Sequence, residues 1–310
     1  APCLSQLYHE NKRGVAAGYA KYETFPIWNL PLNHPVNIAY EAATVDLDDD
    51  NIIDPFHLEA YGETTVNYNR DVEAFPVLKA MMERIMGESP YASPTDMGVN
   101  MAGYAIVDDD ACRDAARLEI VRRYFAAAVH LKRTGTGEEQ VERLRSIMNR
   151  AGVTPDLSPA RAVALEKEAA TGAPAGAMVL PDGHVVTGKT GDLLGAASAL
   201  LMHALKAVTG VDGTIPVIDD AAIEPICRLK TEHLNSVNRR LHSDETLIAL
   251  SITSATSPVA ARVIDGLKQL QGCDAFFSVI ISSTDEALYR KLGINVCCEP
   301  KYERVSLYHR

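Results

Sequence analysis

Residues 247–298, LIALSITSATSPVAARVIDGLKQLQGCDAFFSVIISSTDEALYRKLGINVCC, decide the fold class. Short apolar runs alternate there with stretches of helical spacing, and Ser, Thr, Pro or Gly marks each change of period. The pattern predicts strand Leu247–Thr253, helix Pro258–Leu270, strand Ala275–Ile281, helix Asp285–Leu292 and strand Ile294–Cys298. Parallel strands need a crossover, usually a helix, so this βαβαβ order predicts a mainly parallel sheet covered by helices.

Just upstream, Pro181-Asp182-Gly183 separates Ala177–Leu180 from His184–Thr187 and predicts strand, turn, strand, followed by a buried helix at Leu193–Val208. Gly183–Thr190, GHVVTGKT, fits the phosphate-loop pattern G-x-x-x-x-G-K-[ST] letter for letter. Such a loop must curl its N–H groups around a phosphate between a strand end and a helix. Val185 and Val186 favour extension instead, and the segment follows a tight turn. A hairpin strand and corner is therefore expected, with the Lys189 ammonium exposed at its end.

Further out, the middle of the chain reads as helical: Asp108–Lys132, Glu138–Asn149 and Pro159–Ala170. The run TGAPAG (Thr171–Gly176) offers turn-forming residues without an apolar anchor and predicts a boundary. Near the start, a helix over 3–20, a strand Tyr22–Trp28, a helix Pro35–Thr44 and a helix Phe75–Met86 are expected. The division is thus a polar α/β segment at 1–87, a helical region at 88–172 and an α/β domain at 173–310.

The 310 residues carry a net charge of −11, with 47% hydrophobic and 23% charged residues. This acidity argues against a nucleic-acid backbone as partner, and no basic cluster suggests an anionic membrane surface. The six Cys show neither a C-x-x-C pair nor zinc spacing, so free thiols in a reducing cytoplasm are expected, with no metal site built on them. The chain opens on APCLSQL without an initiator Met or a signal pattern, as a fragment of a longer protein would.

The richest chemistry lies in His34–Asp71, HPVNIAYEAATVDLDDDNIIDPFHLEAYGETTVNYNRD. Polar groups interleave with short apolar anchors, and a buried polar group without a partner costs about 1–3 kcal/mol. Either a shaped polar site or a satisfied structural network follows. Asp54-Pro55 predicts a capped helix start with Gly62 as its stop. Asp54 and His57 then share a face, while Glu59 points away, which speaks against a three-ligand metal site. If Glu63–Asn69 is extended, Asn67, Asn69 and Asp71 share one face. The Pro-fixed turn Ser93–Asn100 is expected to meet this segment in space.

These same stretches carry a resemblance. HPVN, YEAAT, IDPFHLEAYG, TTVNYNRD, SPTDMGVN, IEPI and RKLGINV together resemble an uncharacterised bacterial family, domain of unknown function 1846, over essentially the whole chain. The resemblance implies a longer protein with an N-terminal α/β region ending in a Gly-rich loop before Cys3. The chain would then be the family's C-terminal portion, with any Mg and nucleotide bound together with that region. It implies no assigned reaction. The C-terminal third is also similar in layout to cytidine-deaminase-like sandwiches, but it lacks the H-x-E and P-C-x-x-C residues of their zinc site.

The expected function is that of an enzyme acting on a phosphorylated or nucleotide-type small molecule, in the transferase or ligase class. His57, Asp54 and Asp71 are the catalytic candidates. His34, Asn37, Glu59, Asn67, Asn69, Arg70, Asp96 and Asn100 are the substrate-binding candidates, with Arg70 as anion clamp. A secondary anion site is expected at Lys189, Thr256, Ser257, Ser283 and Thr284, where strand ends meet helix starts. The alternative is a non-catalytic ligand-binding or assembly protein whose polar segment forms an interface, with a second copy as partner.

Overall fold

The computed structural model describes residues 2–22 and 26–303. The chain groups into two compact units, residues 1–124 with 138–154 and residues 125–137 with 155–310.

The first unit begins with helix α1 (Pro2–Lys12), strand β1 (Lys21–Tyr22), helix α2 (Pro35–Ala43), strand β2 (Asn51–Ile53) and helix α3 (Pro55–Tyr61). Strand β3 (Val66–Tyr68), helix α4 (Asn69–Met86), strand β4 (Gly98–Val99), helix α5 (Asp109–Thr134) and helix α6 (Glu138–Ala151) follow, and α5 carries residues of both units. His34 and Asp54 cap α2 and α3, each followed by Pro, and Gly62 ends α3 in the left-handed region at φ 72°. β2 and β3 form an antiparallel pair, and β1 and β4 a parallel one. Gly98 is required by contact, since a Cβ there would stand 1.5 Å from the ring of buried Trp28. Leu7, Phe75, Met82 and Met97 pack as one core cluster.

Three expectations shift here. The first helix stops at Lys12 instead of running to residue 20, and α4 starts at Asn69, ahead of Phe75, with Pro76 inside it. Of the strand expected at Tyr22–Trp28, Tyr22 falls in β1, residues 23–25 lie outside the described residues, and 26–28 form no strand, although Trp28 makes backbone hydrogen bonds to Asn100 and Val66.

In the second unit, helix α7 (Pro159–Thr171) leads into strands β5 (Ala175–Val179) and β6 (Val185–Lys189) and helices α8 (Ala196–Val208) and α9 (Asp220–Arg228). Helices α10 (Ser243–Ser254) and α11 (Pro258–Asp265), strand β7 (Asp274–Phe277), helix α12 (Ser283–Lys291) and strand β8 (Asn295–Cys298) complete it. TGAPAG forms the turn from α7 to β5, within this unit.

The sheet order is β6-β5-β7-β8. Only β7–β8 is parallel, because β5 runs antiparallel to both of its neighbours. The mainly parallel sheet expected from the sequence is therefore replaced by a mixed one. One cause is the hairpin. The other is Leu247–Thr253, which is not a strand but part of α10. A short apolar run does not separate strand from buried helix by itself. Here the burial of Thr246, Ala249, Leu250 and Thr253 follows helical spacing, and Asp244 and Glu245 in the first turn favour the helix dipole.

β6 settles the phosphate-loop pattern. Its residues 185–189 pair in ladder register with β5, so their N–H groups do not cradle a phosphate. Gly183, at φ 83°, closes the hairpin turn. Gly188 lets α8 lie directly on the strand, since a Cβ there would stand 2.2 Å from the backbone nitrogen of Leu200. Leu200, Leu201 and Leu205 of α8 are fully buried in the core of this unit, each worth about 1.5–3 kcal/mol relative to exposure. Phe277 and Tyr289 meet edge to face at 5.5 Å on the same core.

Candidate functional site

In the first unit, the expected meeting of the 34–71 segment with the 93–100 turn occurs. Asp54 is fully buried. Its Oδ1 accepts from the N–H groups of Phe56 (3.0 Å) and His57 (3.1 Å), and its Oδ2 from Thr95 Oγ1 (2.6 Å) and N–H (3.2 Å). His57 Nδ1 lies 2.9 Å from Ser93 Oγ and 3.6 Å from Asp96 Oδ1, with the Tyr61 ring at 4.7 Å. Asp96 Oδ2 in turn accepts from Ala92 and Ser93 N–H and from the Tyr61 hydroxyl. Asp54, His57 and Asp96 thus form one cluster, whose carboxylates are engaged in holding the turn.

The other candidates have different partners. Arg70 clasps Asp49, with Nε 2.5 Å from Oδ1 and a terminal nitrogen 2.7 Å from Oδ2. Asn69 bonds the acidic turn at Asp48 and Asp50, and Asp71 pairs with Lys21. His34 caps α2 and reaches Asp109 at 2.9 Å. Asn37 holds the 26–31 loop through Ile27, Leu30 and Pro31, and Asn100 bonds the Pro26 carbonyl. Glu59 is exposed. Asn67 is buried, and its Nδ2 lacks a hydrogen-bond partner. The described residues contain no group of three or more His, Cys, Asp or Glu arranged to hold a metal ion.

The second unit contains a cavity of about 330 Å³ at the carboxyl side of β7. One wall is the first turn of α8 at Gly195–Ala197, another the segment Val279–Ser283 leading into α12, and a third Asn238–His242. Arg133, Arg240, His242, Asp285 and Glu303 supply its charged groups. Of the secondary anion candidates, Ser283 lines it, whereas Lys189, Thr256, Ser257 and Thr284 do not. Ser257 instead caps α11, and Thr284 and Lys189 face solvent.

Asp285 organises this wall. Its Oδ1 accepts both the N–H and the hydroxyl of buried Ser243 at 2.7 Å, and its Oδ2 accepts from Ser282 Oγ at 2.7 Å. His242 Nδ1 stands 3.2 Å from Oδ2 and 3.3 Å from Ser282 Oγ. The hydrogen bond to Asp285 raises the imidazole above its ordinary pKa, against the opposing effect of burial. For Asp285, burial works upward, but hydrogen bonds from His242, Ser282 and Ser243 outweigh it and hold the carboxyl below its usual range. With Nδ1 fixed against a carboxylate, Nε2 is the nitrogen left for a ligand. This is the arrangement in which an imidazole takes and returns a proton.

The two guanidiniums are partly tied. Arg133 donates to Glu286 Oε2 at 3.0 Å and to the Ile281 carbonyl at 3.2 Å, and Arg240 lies 3.6 Å from Glu303. Both still face the cavity. The sequence reading missed His242, Asp285, Arg133 and Arg240. The local signal is Ser282-x-x-Asp285, a helix-start pattern, which points to Ser283 and Thr284 as anion contacts but not to Asp285 or its partner His242.

The chain matches the model of the domain of unknown function DUF1846, N-terminal, over residues 1–152, and that of DUF1846, C-terminal, over residues 156–308. The N-terminal match gives no support to the expectation that the chain is the family's C-terminal portion alone. It is 56% identical over 310 residues to a UPF0371 protein of Corynebacterium efficiens, covering all of this chain and 63% of that protein. A UPF0371 protein of Corynebacterium diphtheriae is 56% identical over 314 residues, with 100% and 62% covered. One of Streptococcus thermophilus is 51% identical over 310 residues, with 100% and 63% covered. The chain thus spans about 63% of the length of the curated relatives it matches. No helix among the described residues is long and apolar enough to cross a membrane.

Proposed function

The chain belongs to the DUF1846 family, and we propose that its second unit is an enzyme site that binds a phosphorylated small molecule and moves a proton on it through His242. One observation carries the reading. An imidazole with Nδ1 held by a buried carboxylate stands on the wall of a cavity that also presents Arg133 and Arg240. Guanidiniums suit phosphate through their planar forks. The first turns of α8 and α12 add partial positive charge on the same side. Val279, Ile280, Ile281 and Leu241 give the ligand's carbon skeleton an apolar wall, and a cavity of about 300 Å³ or more takes a ligand of sugar-phosphate or nucleotide size.

In this reading the Asp285 carboxylate orients the ring and stabilises its protonated form. His242 Nε2 accepts a proton from the substrate, or donates one to a leaving oxygen. The guanidiniums hold the phosphate through their planar forks. The cytidine-deaminase-like layout remains part of the proposal for this unit, as a scaffold without zinc.

A panel of sugar phosphates and nucleoside monophosphates, titrated calorimetrically against the chain, tests the reading. Arg240→Met should weaken binding at least tenfold, and His242→Gln should keep binding but abolish turnover. Failure of every phosphorylated compound to bind would overturn it.

A second reading has its own support. The carboxylate oxygens of Asp54 accept four hydrogen bonds, and Asp96 holds the 92–93 backbone. The polar segment of the first unit then serves as a structural network, with His57, Arg70 and Asp71 in stabilising rather than catalytic roles.

A further inference from the structure

The strap that carries His242 is clamped from two sides. After α9 the chain takes a wide π-type turn at Leu229–His233 and a left-handed step at Asn235, where φ is 53°. On one side, the Leu241 N–H donates to the Leu193 carbonyl at 2.8 Å and the Leu241 carbonyl accepts from Ser198 Oγ at 2.8 Å. On the other stands Lys230, which is buried, at 8% exposure. Its ammonium donates to the Arg240 carbonyl and to Glu245 Oε2, both at 2.6 Å. Glu245 Oε2 also accepts the His242 backbone N–H at 2.8 Å.

We infer that the Lys230–Glu245 ion pair is a positioning device for His242, fixing the strap that bears the imidazole and setting the charge beside it. Burying an ammonium costs several kcal/mol before its partners offset it, and an apolar side chain would fill the same space without that cost. The charge itself has a use here. Lys230 sits one hydrogen bond from the backbone of Arg240 and one carboxylate from that of His242. π-type turns inside helical segments occur often at functional sites. The inference rests on the proposed role of His242 as the proton carrier.

The groups around the imidazole have opposite effects. Asp285 of α12 and Glu245 of α10 favour its protonated form, and Lys230 opposes it. Arg133, Arg240 and Glu303 face the same cavity. Loss of the Glu245 charge and loss of the Lys230 charge should therefore move the imidazole in opposite directions, which purely mechanical support would not do.

The test is the His242 imidazole titration, followed by ¹⁵N NMR on the full chain, in Glu245→Gln, Lys230→Met and the double variant. Glu245→Gln should lower the midpoint by about half a pH unit or more, Lys230→Met should raise it, and the double variant should return towards the parent. Midpoints unchanged in both single variants, with only a lower melting temperature, would overturn the inference. If a single variant does not fold, the parent decides. The Glu245 carboxyl ¹³C shift should show an inflection at the His242 midpoint, and its absence overturns the inference equally. Opposite shifts in a chain that binds no phosphorylated compound would sink the enzyme reading and leave the positioning role standing. Phosphate binding with an unmoved imidazole would do the reverse.

Discussion

His242 and Asp285, 43 residues apart in sequence, meet with Nδ1 and Oδ2 separated by 3.2 Å, on a carboxylate that buried Ser243 holds from its other oxygen. The start of α10 and the start of α12 are thereby joined through one side chain. The geometry fixes which imidazole nitrogen is spent on the protein and which remains for a ligand.

Replacing Asp285 with Asn should cost about 2–4 kcal/mol, because several hydrogen bonds to a buried charged group are lost or weakened. The same change removes the largest influence raising His242, so its midpoint should fall. Urea unfolding gives the first quantity and imidazole NMR the second.

The pair also predicts the pH dependence of stability. His242 is raised above its ordinary 6.5, so its contribution is fully present below 6.5 and lost as pH rises through the folded value. Asp285 is held below its ordinary 3.8, so its contribution is present above 3.8 and lost as pH falls through the folded value. The difference in melting temperature between the parent and Asp285→Asn should be largest between about pH 4 and 6.5. It should shrink on both sides, and a pH-independent difference would contradict the assignment.

Gly188→Ala should destabilise the second unit by about 1–3 kcal/mol, because the added methyl meets helix backbone that has nowhere to go. Lys189→Ala, at an exposed position, should change stability by less than about 0.5 kcal/mol. Neither substitution should reduce phosphate affinity. Loss of affinity in Lys189→Ala would restore the phosphate-loop reading of this segment.

Asp54→Ala should cost about 3 kcal/mol, combining the loss of a helix cap with that of two bonds to Thr95. Glu59→Ala on the same helix should be neutral. Calorimetric melts of the two variants check this, and equal stability would mean that the turn at 93–97 is held by something other than Asp54.

The sequence made local features legible and left the convergence hidden. Pro181-Asp182-Gly183 marked the β5–β6 hairpin because a tight turn is a chain-local event. α12 and β8 emerged from Ser282–Asp285 and Gly293 for the same reason. Leu247–Thr253 misled because Ile248 and Ile252 are more than half exposed on α10, which disguised the helical face. The cavity could not be read at all. Arg133, Arg240, His242 and Asp285 come from separated segments, and no spacing rule connects them. In the first unit, the density of polar residues at 34–71 did mark a real cluster. It could not tell a cluster that serves a ligand from one whose hydrogen bonds are spent on a turn, as at Asp54.

The most direct test of the account is the ¹⁵N spectrum of His242, recorded near neutral pH with and without a bound nucleoside monophosphate or sugar phosphate. Nε2 should shift on ligand addition while Nδ1 stays at its position against Asp285, with the titration midpoint starting above 6.5 and rising further. A His242 midpoint at or below 6.5, unmoved by any phosphorylated compound, would contradict it.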